Sequence, residues 1–565
     1  MNDSSEFSFS ADFASDPFAD ALYDETRGHG FVTGENTARL ASLQTPELNS
    51  GFVPAWWYAG NRLASVEHGS LGCRAVPTDE IRAEDFARSR RVPLIYRADV
   101  PAAGQYRVTL ALCAEEDEPE VLVYQSRRRL AWRGSLRRGE RREITFRTDV
   151  SPIVPRGKTE REECTGVTVA VVSSSVYLNR FSAEQSSCRV LYIMGDSTVT
   201  DQSADVPYSP GASYSGWGQM ISAFLPEDIC VSNHAHSGLT TESFRSEGHW
   251  DIMSSLVRPG DICLMQFAHN DQKLPHLKAY GGYTKRMKQY IGELRGLGVL
   301  PVIVTPLSRN TWKPDGDYND LLSEYAEACF ALGRETGTMI VDLHGESKKL
   351  LLKNGLEKSK QWYFPGDYTH TNDWGAYRAA GCIAAALRSL RVIPFLQQTK
   401  RWPCGSPVQP LVPPAEAKAP AEVETAPLFS DLERPDDTLT RVDALGMVIR
   451  TLHFFPINVY NDLFSDVLGS EPYAGTVQCA AQNGLIPAFL TSDGALYPQR
   501  EITLGEFLAV LTAGYASRHS LSGSSATLNE AEKRAVSLGL VPEDASFGKP
   551  VTRGRAAELC RAASR

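Results

Sequence analysis

Between residues 189 and 397, apolar runs alternate with segments whose hydrophobic residues recur at helical spacing. Five short runs are almost wholly apolar, as buried parallel strands are, over residues 190–194, 228–231, 261–267, 300–305 and 339–342. Hydrophobic residues recur at helical spacing in residues 283–297, 319–335 and 374–390. This alternation predicts a doubly wound, three-layer α/β domain with functional groups on the loops at the carboxyl ends of its strands.

The region before it, residues 16–188, has short alternating segments separated by glycine, proline and polar turns. Residues 111–113 and 167–172 are among its clearer strands, and the pattern predicts a β-sandwich. Residues 96–110 resemble the strand, turn and strand of galactose-binding-like sandwiches, which accompany carbohydrate-active catalytic domains. Residues 1–15 are predicted to be a flexible amino terminus.

After the α/β domain the pattern changes twice. Residues 398–427 are dense in proline and alanine, which is typical of a semi-rigid linker. Residues 428–565 predict short amphipathic helices with a weak internal repeat, since Phe-Ser-Asp-Leu at 429–432 recurs as Phe-Ser-Asp-Val at 464–467. The pattern at 439–443 is echoed at 502–506 and 551–555.

These helical segments resemble S-layer homology repeats, which form a small helical bundle that binds cell-wall polysaccharide. The resemblance implies a wall-ligand role for Arg441 and Arg553, although the Thr-Arg-Ala-Glu signature of the repeats is intact at no copy. The alternative is a helical module used for packing or for oligomer contacts.

Composition narrows the class of protein. Hydrophobic residues make up 42% and charged residues 22%, as in ordered globular domains, and the formal net charge of -10 argues against a nucleic-acid partner. The eleven cysteines form no Cys-x-x-Cys pair, which favours reduced thiols over disulfides or a zinc site. With no signal-like amino terminus and no long apolar run, we expect a cytoplasmic protein without a membrane partner. The alternative is a secreted or cell-surface protein whose leader is missing from this sequence.

The candidate chemistry begins at the first predicted strand of the α/β domain. Residues 189–194 lead directly into Gly-Asp-Ser-Thr, so the sheet presents Ser197 as a candidate nucleophile at its carboxyl edge. The alternative is a simple turn and helix cap. Asp367 and His370, three residues apart before the last helix, supply an orienting carboxylate and a base. Gly238 and Asn270 follow the second and third strands and supply donors for an oxyanion.

Together these segments resemble the four conserved blocks of the SGNH hydrolases, whose catalytic domain is flavodoxin-like. Within that superfamily the chain is most similar to rhamnogalacturonan acetylesterases, on Gly-Asp-Ser-Thr-Val at 195–199, Gly-Trp-Gly-Gln at 216–219 and Gln-Phe-Ala-His-Asn-Asp at 266–271. The resemblance implies an acyl-enzyme mechanism with Ser197 as nucleophile, His370 as base and Asp367 as its partner. The backbone N–H groups of Ser197 and Gly238 and the Asn270 amide then form the oxyanion hole. Neither a metal nor a cofactor is required.

Three further positions bear on the site. Ala268 stands where the family usually has glycine, so we expect an altered loop beside Asn270 without loss of activity. Trp217 and His269 are candidate substrate-binding residues. For Trp217 the alternative is an aromatic ring packed beneath a loop.

The predicted sandwich carries eight closely spaced arginines: Arg127, Arg128, Arg129, Arg133, Arg137, Arg138, Arg141 and Arg142. A charged strand face or edge that prevents strand pairing is the favoured interpretation. The alternative is a binding site for a polyanion such as a uronic-acid polysaccharide.

The sequence therefore predicts a serine esterase that removes O-acetyl groups from plant cell-wall polysaccharide or oligosaccharide, with acetylated rhamnogalacturonan or pectin preferred. Alternatives are an acetyl xylan esterase and an SGNH lipase or thioesterase. A non-catalytic cell-wall-binding protein is the alternative from another class. The oligomeric state is not readable from these patterns.

Overall fold

A computed structural model of the 565-residue chain describes residues 7–15, 22–32, 64–77, 92–154, 160–202, 204, 208–313, 316–393, 435–452, 454, 464–467, 471, 473–492, 494–518 and 527–563. The described residues divide between two compact units. One falls within Met1–Ser308, Leu322–Pro365 and His370–Pro414, and the other within Arg309–Leu321, Gly366–Thr369 and Ala415–Arg565. The predicted linker at 398–427 lies outside the described residues.

The amino-terminal region is built from two antiparallel sheets. Its strands are β1 (Ser8–Asp12), β2 (His29–Val32), β3 (Ala64–Gly69), β4 (Gly72–Pro77), β5 (Leu94–Asp99), β6 (Gly104–Ala114), β7 (Glu118–Gln125), β8 (Arg129–Leu136), β9 (Arg141–Val150), β10 (Gly166–Val172) and β11 (Val176–Gln185). One sheet has the order β3-β4-β11-β6-β9 with β1 also paired to β11, and the other has the order β2-β5-β10-β7-β8. Strand β1 shows that the predicted flexible amino terminus is wrong for residues 8–12.

Alternation of side chains explains how these sheets bury a core. Along β6, Val108, Leu110 and Leu112 are buried while Arg107 is exposed, as expected when successive side chains point to opposite faces. Residues from both sheets, such as Val108 and Val169, belong to one buried cluster. The galactose-binding-like resemblance of this region stays a prediction.

The α/β domain is built around a parallel sheet of strands β12 (Arg189–Gly195), β13 (Ile229–Asn233), β14 (Ile262–Gln266), β15 (Leu300–Val304) and β16 (Met339–Val341). Their order is β13-β12-β14-β15-β16 and each neighbouring pair is parallel. The chain leaves β12 toward β13 on one side and then crosses back from β13 to β14 on the other side of β12, so the crevice of a doubly wound sheet opens at the carboxyl end of β12. Ser197, the predicted nucleophile, follows β12 and lies at this crevice.

The helices of this domain are α1 (Trp217–Met220), α2 (Ser243–Ser246), α3 (His249–Leu256), α4 (Thr284–Gly296), α5 (Ser323–Thr336), α6 (Leu343–Ser359) and α7 (Asp373–Ser389). The predicted helices correspond to α4, α5 and α7. The sequence pattern missed α6, which is rich in lysine and contains Gly355 at a φ of 72°. No described helix is long and apolar enough to cross a membrane.

The second unit contains helices α8 (Arg441–Thr451), α9 (Ala474–Gln482), α10 (Leu504–Arg518), α11 (Leu528–Ser537) and α12 (Arg553–Ala563). Reciprocal capping boxes begin two of them, with Thr440 and Asp443 at α8 and Thr527 and Glu530 at α11. The segments 439–443, 502–506 and 551–555, which echo one another in the sequence, contain the starts of α8, α10 and α12. This part of the repeat is therefore a recurring helix start. The S-layer homology resemblance stays a prediction.

Candidate active site

Strand β12 delivers Ser197 to the carboxyl edge of the parallel sheet. The strand is buried from Val190 to Gly195, and the chain then turns through residues 195–198, here called the serine turn. Ser197 Oγ lies 2.8 Å from His370 Nε2, and the serine is 9% exposed. This contact pairs a hydroxyl with a base that can accept its proton.

Asp196 fixes the shape of the serine turn. Its Oδ1 accepts from the Thr198 N–H at 2.9 Å and from the Thr198 hydroxyl at 2.8 Å. Burial alone would raise the pKa of the Asp196 carboxyl, but His269 and these Thr198 hydrogen bonds hold that pKa below its usual range. The carboxylate therefore serves the turn, and it leaves Ser197 to face His370.

The His370 ring is held against aromatic side chains. The Tyr214 ring meets it edge-on, with centroids 5.8 Å apart, and stacks on Phe364 at 3.7 Å. The Phe364 N–H donates to the His370 carbonyl at 3.0 Å. Two residues later Asn372 caps α7 by accepting from the Gly375 N–H at 3.0 Å. The histidine thus sits on a loop that is anchored on both sides.

Asp367, the predicted partner of the base, is buried three residues before His370. Its Oδ1 accepts from the Thr369 N–H at 2.7 Å, an Asx-type turn that stiffens the segment between them. Tyr368, the residue after it, donates its hydroxyl to Asn483 Oδ1 within the second compact unit. An orienting role for Asp367 stays a prediction.

The loop after β13 carries Gly238 and lies along the serine turn. The His236 N–H donates to the Gly195 carbonyl at 3.2 Å, and the Thr200 hydroxyl donates to the Ala235 carbonyl at 2.6 Å. Gly238 has a φ of 90°, a left-handed conformation that favours glycine, and a Cβ there would meet nothing within 4 Å. Within the described part of the chain, the N–H groups of Gly238 and Ser197 have no hydrogen-bond acceptor.

Asn270 follows β14 and is held by its own loop. Its side-chain nitrogen donates to the Leu239 carbonyl at 3.0 Å, and its Oδ1 accepts from Lys273 Nζ at 2.8 Å. A primary amide has two N–H donors, so this contact leaves one for a ligand. The amide is therefore bonded directly to the loop that contains Gly238.

The loop between β14 and Asn270 has an unusual backbone conformation at Ala268, the position where the family usually has glycine. Ala268 has a φ of 123°, which favours glycine, and the side chain is buried. Asp271 supports it by accepting from the Ala268 N–H at 3.2 Å and from the Thr241 hydroxyl at 2.6 Å. Burial raises the pKa of Asp271 to about 6. The alanine therefore keeps a glycine-like backbone.

Two predicted substrate-binding residues are in the core. Trp217 is 0% exposed and its indole N–H donates to Gln266 Oε1 at 2.8 Å. His269 is 2% exposed, with Nε2 at 2.9 Å from the Leu307 carbonyl and Nδ1 at 3.3 Å from Asp196 Oδ2. Neither ring can reach a sugar, so both predictions are wrong. The alternative for Trp217, a ring packed beneath a loop, is what the structure has.

The arginine-rich segment contains an exposed group, a buried group and Arg133, which is partly buried and donates to Glu120 Oε1 at 3.1 Å. Arg137, Arg138, Arg141 and Arg142 are exposed, as the charged-edge interpretation requires. The interpretation is wrong for Arg127, Arg128 and Arg129, here called the arginine turn, because all three are buried. Burial also excludes these three from a polyanion site. The sequence pattern could not distinguish the buried arginines from the exposed ones, because arginine is usually expected at the surface.

Two buried histidines, His234 and His249, lie near the arginine turn. Burial, together with the charges of Arg127 and Arg129, lowers the pKa of His234 to about 3. Burial lowers the pKa of His249 to about 3 as well. Both imidazoles are therefore neutral near pH 7, and neither contacts Ser197 in the described hydrogen bonds.

The two arginines predicted to bind a wall ligand differ from each other. Arg441 is buried and donates to the Leu490 and Leu496 carbonyls and, at 3.0 Å, to Glu506 Oε1. A side chain engaged in this way is not available to a polysaccharide, so its prediction is wrong. Arg553 is partly exposed and lies 3.3 Å from Asp443 Oδ2, and its role stays a prediction. Among the described residues, no cluster of three or more His, Cys, Asp or Glu side chains is arranged to hold a metal ion.

Comparisons with known proteins agree with this geometry. Residues 193–378 match the model of the GDSL-like lipase/acylhydrolase family. Rhamnogalacturonan acetylesterase RhgT of Bacillus subtilis (strain 168) is 32% identical over 213 residues, which are 35% of this chain and 90% of RhgT. The probable rhamnogalacturonan acetylesterase YesY of the same organism is 29% identical over 208 residues, 35% of this chain and 93% of YesY.

A third relative extends beyond the matched domain. The uncharacterized esterase YxiM of Bacillus subtilis (strain 168) is 24% identical over 380 residues, which are 66% of this chain and 86% of YxiM. That match is longer than residues 193–378 and so includes more than the α/β domain. With a relative at 32% identity over nine-tenths of its length and with Ser197 and His370 in contact, the chain belongs to the GDSL-like lipase/acylhydrolase family and is an SGNH-type esterase.

Proposed function

We propose that this esterase removes O-acetyl groups from carbohydrates, with acetylated rhamnogalacturonan or its oligosaccharides as the preferred substrate. The observation that carries the proposal is the 2.8 Å contact between Ser197 Oγ and His370 Nε2 at the carboxyl edge of β12. The names of RhgT and YesY support the acetyl group and the sugar.

In the proposed reaction, His370 accepts the proton of Ser197 as the serine oxygen attacks the acetyl carbonyl. The Ser197 and Gly238 N–H groups and the Asn270 amide then stabilise the negative charge on the carbonyl oxygen. The supporting observation is that both N–H groups lack an acceptor among the described residues, while Asn270 is bonded to the Gly238 loop. Asp367 orients the imidazole and stabilises the imidazolium that forms.

Collapse of this intermediate expels the sugar hydroxyl, which takes its proton from His370, and leaves an acetyl-enzyme on Ser197. His370 next removes a proton from water, which attacks the acetyl carbonyl. Collapse of this second intermediate breaks the bond to Ser197 Oγ, which takes the proton back from His370, and acetic acid is released and ionises. One ester and one water therefore give one alcohol, one acetate and one proton, and His370 carries out every proton transfer in the cycle.

The experiment is release of acetate from a panel of acetylated rhamnogalacturonan, pectin and xylan, each as polymer and as oligosaccharide. Wild-type protein is compared with Ser197→Ala. We expect the fastest release from rhamnogalacturonan oligosaccharides and no release above background with Ser197→Ala. Equal rates on all sugars would remove the substrate preference, and equal rates for the two proteins would remove Ser197 from the chemistry.

A further inference from the structure

The arginine turn connects the amino-terminal sheets to the esterase domain. Strands β7 and β8 pair with Gln125 opposite Arg129, so Ser126, Arg127 and Arg128 connect the two strands. Ser126 and Arg128 have φ values of 49° and 66°. Positive φ is unfavourable for residues with a Cβ. A conformation that costs energy at two positions of one turn persists when other contacts stabilise it.

Arg128 makes those contacts, and its side chain is 0% exposed. Nη1 donates to both carboxylate oxygens of Asp373 at 2.9 and 3.0 Å, and Nε donates to the Gln202 carbonyl at 3.0 Å. Nη2 donates to the Tyr214 carbonyl and, at 3.3 Å, to Gln219 Oε1. A planar fork of donors suits this set of fixed acceptors, whereas a lysine could satisfy only part of it.

Two of these acceptors flank the catalytic histidine. Tyr214 presents its ring edge to the His370 ring, and Asp373, the first residue of α7, is three residues after His370. The backbones of Tyr214 and Asn372 also pair as an isolated β-bridge. One guanidinium therefore ties the residue that packs on the imidazole to the helix that ends its loop.

The neighbouring arginines contact the loop on the other side of the serine turn. Arg127 Nη2 donates to the Asn233 carbonyl at 2.5 Å and lies 3.5 Å from Asp201 Oδ2. Arg129 donates to the Val231 carbonyl. Asn233 begins the loop that carries Gly238, and its own amide donates to Asp201 Oδ1 at 2.9 Å.

We propose that Arg128 is a positioning residue for ester hydrolysis, which holds Tyr214 and the start of α7 so that the His370 ring stays within reach of Ser197. The inference rests on the proposed function. It adds that the amino-terminal sheets, through Arg128, help to hold the catalytic residues in position. It applies to turnover on any acyl ester, because it concerns the base and not the sugar.

The test compares the full-length chain with Arg128→Met, Arg128→Lys and the matched control Arg138→Met, which changes an exposed arginine of the same region. Active sites are counted by reaction with a fluorophosphonate taken to completion, and kcat and KM for an aryl acetate are then expressed per titrated site. This normalisation removes any loss of folded protein. We expect kcat per site to fall at least about tenfold in Arg128→Met with KM nearly unchanged, since small displacements of a catalytic group have large effects on rate.

Arg128→Lys keeps a cation beside Asp373 and is expected to recover part of the lost kcat, while Arg138→Met matches wild type. A folded Arg128→Met protein with wild-type kcat per site would overturn the proposal and leave Arg128 as an interface residue, as would wild-type kcat in Arg128→Lys when Arg128→Met does not fold. If Arg128→Met does not fold, Arg128→Lys decides. If wild-type protein hydrolyses no acetate ester, the proposed function fails, and the rate at which the fluorophosphonate modifies Ser197 tests Arg128 in its place.

Discussion

The serine turn and the arginine turn both follow a β-strand and both bury polar side chains, but they are stabilised in opposite ways. Asp196 closes the serine turn through Thr198, two residues along the chain. Arg128 is instead held by Asp373, which is 245 residues away. The first turn is closed by neighbouring residues and leaves its serine for chemistry, whereas the Arg128 hydrogen bonds of the second reach acceptors 74 to 245 residues away along the chain.

This difference separates the two kinds of polar burial in the molecule. A side chain that is satisfied by its neighbours leaves the next residue available for other contacts, as Ser197 is for His370. A charged side chain that must be desolvated needs several acceptors at once, and Arg128 has them on three separate segments. We therefore assign the chemistry to the serine turn and the positioning of His370 to the arginine turn.

The largest predicted effect tests whether the serine turn carries the chemistry. Ser197→Ala removes the nucleophile, so kcat for an aryl acetate should fall by a factor on the order of 10⁴ or more. Steady-state kinetics give the rate, and thermal unfolding serves as the control, because a buried turn should tolerate loss of one hydroxyl. Activity above a hundredth of wild type would assign the reaction to another group and end the distinction between the turns.

The next effect concerns the oxyanion donors. Asn270→Ala deletes the amide while leaving Ser197 and His370 in contact, so kcat should fall about 10² to 10³-fold with the acyl-enzyme still formed. Burst kinetics with an aryl acetate separate acylation from turnover. Lys273→Ala is a matched control, since it removes only the side chain that donates to Asn270 Oδ1. A similar loss in both variants would mean that Asn270 acts by shaping its loop.

Sequence patterns identified the parallel sheet and the turn that presents Ser197 because both depend on local signals. Buried strands are mostly apolar, and Gly-Asp-Ser-Thr begins at the last residue of β12. The pairing of Ser197 with His370, 173 residues away, came instead from the resemblance to the SGNH blocks. The patterns failed where burial depends on remote partners. Trp217 and Arg441 read as exposed ligand-binding residues, yet Gln266 and Glu506, each dozens of residues away, hold them inside. A window of neighbouring residues contains no information about such contacts.

A smaller effect tests the burial of His234 beside the charges of the arginine turn. The pKa of His234 is about 3 in the folded chain and about 6.5 when unfolded. Between these values the unfolded chain binds a proton that the folded chain cannot, so stability falls as pH falls through that window. This group alone should lower the free energy of unfolding by about 2 kcal/mol between pH 7.5 and pH 5.

His234→Asn removes that titration, so its loss of stability over the same pH range should be smaller than that of wild type by about 2 kcal/mol. Urea unfolding at the two pH values measures the difference. Only the change with pH is compared, which cancels the cost of the substitution itself. Identical pH dependence in the two proteins would show that His234 is not held neutral beside the arginine turn.

The smallest predicted effect concerns the loop next to Asn270, where the backbone of Ala268 is strained. Ala268 has a φ of 123°, and a residue with a Cβ in such a conformation costs on the order of 1–3 kcal/mol. Glycine relieves that strain but raises the entropy of the unfolded chain, so Ala268→Gly should stabilise the protein by about 1 kcal/mol net. Denaturant unfolding measures the gain, and kcat on an aryl acetate should stay within about twofold of wild type because Asp271 still holds the loop.

Gly260→Ala, at a φ of 95° with open space around it, is the reverse control and should destabilise by a similar amount. A destabilised Ala268→Gly protein would mean that the buried methyl group contributes more by packing than the backbone loses by strain.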